Sequence, residues 1–150
     1  MGAPTNLLGL QLLIQARLKQ ALAGQTPVVH VLTAAELAGV VEEKQLVPAV
    51  HVVYGGWRTK ESRSDGKAAR AEQTWLAVVA VRNVRGLAAG DDARLQAGEL
   101  GLLVAQALMG WHAPGMATPL KIADGPGADF RPGFVYLPLA FTADLSLQAA

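Results

Sequence analysis

The chain has 150 residues, a formal net charge of +1, no cysteine, 51% hydrophobic residues and 17% charged ones. Such a chain is too apolar and too poor in charge to be intrinsically disordered, and without cysteine it holds neither a disulfide framework nor a thiolate zinc site. The length gives one domain, residues 1–150, with one core; near-neutrality argues against strong nonspecific nucleic-acid binding, leaving room for a local basic patch; and a charged fraction below the usual level of about 25% hints at apolar surface reserved for other subunits.

No stretch reads as a membrane span. Met1 to Ala16 is uncharged but carries Pro4, Asn6, Gln11 and Gln15 and lacks the basic start of a signal peptide. Leu100 to Leu120 is broken by Gly110, His112, Pro114, Gly115 and Pro119. A soluble, cytoplasmic protein is the expectation.

Thr5 to Ala23 reads as a helix, with Leu7, Leu10, Ile14, Leu18 and Leu22 at helical spacing and Gly24 as C-cap. Leu8, Leu12 and Leu13 widen its apolar face, as in a helix covered on more than one side. Val28 to Leu32 reads as a short strand. Thr33-Ala34-Ala35-Glu36 matches a capping box that opens a short helical turn to about Gly39.

Pro48 to Trp57 is a second strand with alternating faces, and Gly55-Gly56 permits a bulge. Arg58 to Arg70 is charge-dense and has turn chemistry at Ser64-Asp65-Gly66, as in the mobile tip of a long hairpin. Gln73 to Val84, apolar on both sides, reads as a central strand buried on both faces.

Gly90-Asp91-Asp92 opens a second helix with an aspartate N-cap. Leu95, Leu102, Ala105 and Met109 are its predicted core face, Gly98 and Gly101 allow close approach to the sheet, and Gly110 ends it. Leu120 to Ala123 is a short strand, 125–133 a loop, and Phe134 to Leu147 a long final strand. Pro138 predicts that the last strand is an edge or bulged. The class is α+β: an antiparallel or mixed sheet with a long hairpin and two main helices packed on one face.

Catalytic chemistry finds little support. Ser62, Ser64 and Ser146 lie in no nucleophile elbow. His30 and His51 fall in strands and become neighbours if those strands pair, but two imidazoles make a weak metal site, and His112 has no evident partner. Gly125-Pro126-Gly127 precedes a strand and not a helix, so it forms no phosphate cradle. The acid pairs Glu42-Glu43 and Asp91-Asp92 read as solvated helix ends. No catalytic residue, cofactor or metal is therefore assigned. The basic hairpin, Arg58, Lys60, Arg63, Lys67 and Arg70, has few aromatics for stacking on single strands and reads either as a solvated loop or as an arm for a partner.

Four strings carry a family resemblance: Ala16-Arg17-Leu18-Lys19-Gln20-Ala21-Leu22, Val47 to Trp57, Glu72 to Asn83, and the Asp-capped helix with Gly98-Glu99-Leu100. Together they resemble tail terminator proteins of long-tailed phages and prophages, in particular the Mu-like minor tail group, from about residue 5 to 147. The resemblance implies a non-enzymatic ring, usually of six subunits, on the head-proximal end of the tail tube. That ring stops tube polymerisation, offers a surface to the head-tail connector and lets the genome pass through its lumen, with no cofactor. It implies a place in the virion tail after assembly in the host cytoplasm. A head-completion or connector subunit is the alternative, followed by a small enzyme using His30, His51 and a carboxylate.

The resemblance transfers no functional motif. On physical grounds Arg58, Lys60, Arg63, Lys67 and Arg70 are the candidate partner or lumen contacts. Tyr54 and Trp57 are candidate interface anchors, since aromatics dominate interface energetics.

Overall fold

A computed structural model describes residues 4–33, 36, 40, 42–83, 87–131 and 133–150. In chain order these give α1 (Leu10–Ala21), β1 (His30–Thr33), a 3-10 turn (Glu42–Lys44), β2 (Ala49–Ser62), β3 (Ala68–Arg82), α2 (Leu87–Leu108), β4 (Lys121–Ala123), β5 (Asp129–Arg131) and β6 (Phe134–Gln148). The six strands form one mixed sheet in the order β1-β2-β3-β6-β4, with β5 also paired to β6. Only β1 and β2 run parallel. The α+β class therefore stands. The short helical turn toward Gly39 and the end of the third strand at Val84 lie outside the described residues.

Both helices pack on one face of the sheet, α1 over β1 and β2 and α2 over β3 and β6. The register puts Val50, Val79 and Leu137 in one row on that face, Val52, Ala77 and Leu139 in the next, and Tyr54, Trp75 and Phe141 in a third. Leu10, Ile14, Leu18 and Leu22 complete this core from α1. Leu7 and Leu12 are exposed, so α1 is not covered by its own chain on its wider apolar side.

Polar groups lock the helices in place. The buried Gln73 side chain donates to the Leu7 carbonyl at 2.5 Å and accepts from the Trp75 indole N–H at 3.2 Å. Arg17 donates to the Ala107 carbonyl at 2.9 Å and stacks over Trp111. The capping box forms: the Thr33 amide donates to the Glu36 carboxylate at 2.7 Å, and the Glu36 amide donates to Thr33 Oγ1 at 3.4 Å.

Four expectations need correction. The second helix starts at Leu87, so Asp91 and Asp92 sit inside it and do not cap it. Its core face is Ala93, Ala97, Leu100, Val104 and Leu108, while Leu95, Leu102 and Met109 are 66%, 60% and 52% exposed. Leu95, Leu102 and Met109 lie among the exposed Asp92, Arg94, Glu99 and Gln106, so the spacing of the large apolar residues alone does not select the buried face. The small side is chosen because it lets the helix come close: a Cβ on Gly101 would stand 3.0 Å from Leu137 Cδ2, whereas Gly98 faces open space.

Third, β6 is central. It pairs with β3 along its whole length and, on its other side, with β5 at Phe134–Tyr136 and β4 at Ala140–Thr142. Pro138 falls in the gap between those two short strands, where a missing N–H costs no ladder bond on that side. Fourth, the 125–133 segment contains β5, and the hairpin is paired nearly to its end, leaving 63–67 as the turn.

Candidate assembly interface

Beyond Tyr54, β2 and β3 continue to the 63–67 turn and β6 runs beside β3 to Gln148, with Ala71, Ala143 and Leu145 at the base of this stretch still in the core. The hairpin is thus one part of a three-stranded arm, braced by the end of the chain. Two bulges, between Tyr54 and Trp57 and between Thr59 and Glu61, interrupt the β2 ladder. Gly56 supplies the first with a φ of 98°, which a side-chain-bearing residue rarely adopts. Bulges and charges on an edge discourage unwanted strand pairing.

The structure separates the five basic arm residues into two groups. Arg58 donates to Glu72 at 2.9 Å, and Lys60 reaches Asp144 at 3.1 Å and Glu72 at 4.0 Å. Glu72 and Asp144 are register partners on β3 and β6, so these two cations neutralise an adjacent pair of carboxylates. Arg63 pairs with Asp65 in the turn. The Asp65 carboxyl is held below its ordinary pKa by the Lys67 amide and then by Arg63. Among the described residues Lys67 and Arg70 form no ion pair.

The aromatic candidates also part. Tyr54 is half-buried, with its ring 4.9 Å from that of Trp75, and belongs to the core margin. Trp57, past the bulge, is 55% exposed.

The two strand histidines do lie on adjacent strands and the same face, in register with Ala49 and Leu32 respectively. His51 is buried, its Nε2 has no hydrogen-bond partner, and burial pushes its pKa down. It lines a small pocket of about 220 Å³ with Val40, Glu42, Gln45 and Tyr136. Gln45 donates to the Tyr136 hydroxyl at 2.6 Å, which donates to Glu42 at 2.8 Å. His30 does not line that pocket, and His112 donates to the Met116 carbonyl at 2.8 Å. Among the described residues no cluster of three His, Cys, Asp or Glu suits a metal ion, and no helix is long and apolar enough to cross a membrane.

Two apolar surfaces escape sequence reasoning. One is the Leu95, Leu102 and Met109 line on α2. The other is the sheet face opposite the helices, where Leu32, Val53, Leu76, Val78 and Pro138 are half-exposed in adjoining register rows. The solvated face of an antiparallel sheet ordinarily alternates to polar residues. The signal was present in the two-sided apolar pattern of β3, but it reads as burial within one chain.

A solved chain in a structure described as the virion of a native gene transfer agent particle shares this fold, with a TM-score of 0.50 and 18% identity over 88% of this chain and 93% of that one. No curated protein matches the chain. The family model described as phage tail terminator protein matches residues 5–149. The match spans both helices, the sheet and the arm, and the chain belongs to the phage tail terminator family.

Proposed function

We propose that this protein is a single-domain, non-enzymatic tail component that assembles into a homo-oligomeric ring, a hexamer in the family's usual form. The ring caps the head-proximal end of the tail tube, stops tube polymerisation and presents the joining surface to the head-tail connector. The genome crosses its lumen without specific binding, and assembly takes place in the host cytoplasm. Family membership over residues 5–149 carries this reading. The braced arm and the two uncovered apolar faces support it, because a ring subunit needs two complementary patches.

Within the arm, Lys67 and Arg70 form no ion pair among the described residues, and Trp57 is the exposed aromatic. They are the first candidates for tube, connector or lumen contacts, with Arg63 beside them. Arg58 and Lys60 serve mainly to hold the arm together, and Tyr54 to seat it on the core.

Removing the gene tests the reading. Tails of uncontrolled length, seen by electron microscopy, are expected. Tails of normal length beside heads that leak or fail to join would instead identify a head-completion or connector subunit. The double variant Arg63→Glu with Lys67→Glu is expected to fold normally and to lower the yield of infectious particles. Wild-type yields would remove the arm tip from the joining surface.

A further inference from the structure

Within the ring reading above, we propose that the exposed line formed by Leu95 and Leu102 of α2 and Met109 just after it docks on the half-exposed part of the sheet face of the neighbouring copy, around Leu32, Val53, Leu76, Val78 and Pro138. The contact is head-to-tail, so one chain carries both halves of it.

The two surfaces match in extent. Leu95 and Met109 are 14 residues apart, which at helical rise is about 21 Å. The sheet patch runs across four strands, from Leu32 on β1 through the His51, Val78 and Pro138 row to β6, or about 14 Å between outer strand axes plus the side chains at its rim. A helix line laid over such a face repeats the packing that each chain already uses on its other side.

The charges match as well. Asp92 and Glu99 are exposed and flank the α2 line on the same side, within about 60° of helix rotation of Leu95. Arg94 turns away, with its guanidinium 4.7 Å from the Phe130 ring. On the sheet face, Lys121, in register with Thr142, borders one end of the apolar rows, and Arg82, stacked over Phe134, borders the other. Among the described residues none of Asp92, Glu99, Arg82 and Lys121 forms an ion pair. The acids on the sheet face, Glu42 and Asp129 beside Tyr136, are already paired with Arg131, so unpaired acids beside the α2 surface and unpaired cations beside the sheet surface favour opposite faces meeting and oppose like faces meeting. The two faces lie on opposite sides of the subunit, so each copy offers one to each neighbour, as a heterologous closed assembly requires.

The cysteine-free chain makes the test clean. Leu102→Cys and Val78→Cys are introduced singly and together, and the assembled protein is oxidised, alone and in the presence of tail tubes. The double variant should give a ladder of disulfide-linked multiples that collapses on reduction. An equimolar mixture of the two single variants should give one linked dimer, and each single variant alone should stay unlinked. A linked dimer from either single variant alone means that like faces meet, which overturns the proposal. So does the absence of a ladder while light scattering shows an assembled oligomer, an outcome that leaves the ring reading standing. Wild-type protein that stays monomeric both alone and with tubes brings down ring and interface together.

Discussion

The helix-covered part of the sheet and the arm are continuous strands of one ladder, yet different forces hold them. Under the helices, β2, β3 and β6 stack Val50, Val79 and Leu137, then Val52, Ala77 and Leu139, against leucines of α1 and the small face of α2. In the arm the same strands carry Arg58 on Glu72 and Lys60 on Asp144, with the turn closed by Arg63 and Asp65. Burial dominates in the first region. In the second, Ala71, Ala143 and Leu145 still add burial at its base and Lys60 meets a buried Asp144, while an exposed pair such as Arg63 with Asp65 contributes at most about 1 kcal/mol. Stability and surface function are therefore separable along a single strand.

Trp75→Ala breaks the comparison most forcefully. Its indole is fully buried at the boundary, and the loss should reach about 3–5 kcal/mol in urea unfolding. A cost near 1 kcal/mol would mean that the helix layer is not the stabilising region. Gln73→Leu comes next: it strands the Leu7 carbonyl and the Trp75 N–H, for about 1–3 kcal/mol. A variant as stable as wild type would show that Gln73 does not pin the start of α1.

Protonation probes the sheet face opposite the helices. Burial lowers the folded-state pKa of His51, so the ring is neutral in both states at high pH and stability is complete there. As the pH falls through the ordinary histidine value of about 6.5, the unfolded chain binds the proton first and stability declines, until the folded-state pKa is passed. His51→Leu should flatten that slope in unfolding measured between about pH 7.5 and 5; an unchanged slope would assign it to other groups. The smallest effect belongs to the arm tip, where Arg63→Glu with Lys67→Glu should shift stability by no more than about 0.5 kcal/mol. A larger loss would show that the tip supports the fold.

Much of the fold was legible in the residues. Leu10, Ile14, Leu18 and Leu22 marked the core side of α1, Thr33 and Glu36 the capping box, and Gly55-Gly56 the bulge. The candidate site was legible in outline: the charged run from Arg58 to Arg70 marked the arm, and Trp57 its exposed aromatic. The braces were not legible, because Glu72 and Asp144 are separated by 72 residues and meet only through β3–β6 pairing. Pro138 misled for a similar reason, since a proline is barred from a ladder only where a neighbour needs its N–H.

The sequence by itself determined the kind and order of the main elements, though not β5, because local periodicity, caps and turns depend on residues a few positions apart. It also identified the family by resemblance, which the match over residues 5–149 bears out. Tertiary structure decided which side of each element faces inward. On α2 large apolar residues lie on both sides, and the sheet accepted the uncharged side with Ala93, Ala97 and Gly101 because close packing needs small residues there. That choice turned Leu95, Leu102 and Met109 outward, and the placement of both helices on one sheet face left Leu76 and Val78 half-exposed on the other.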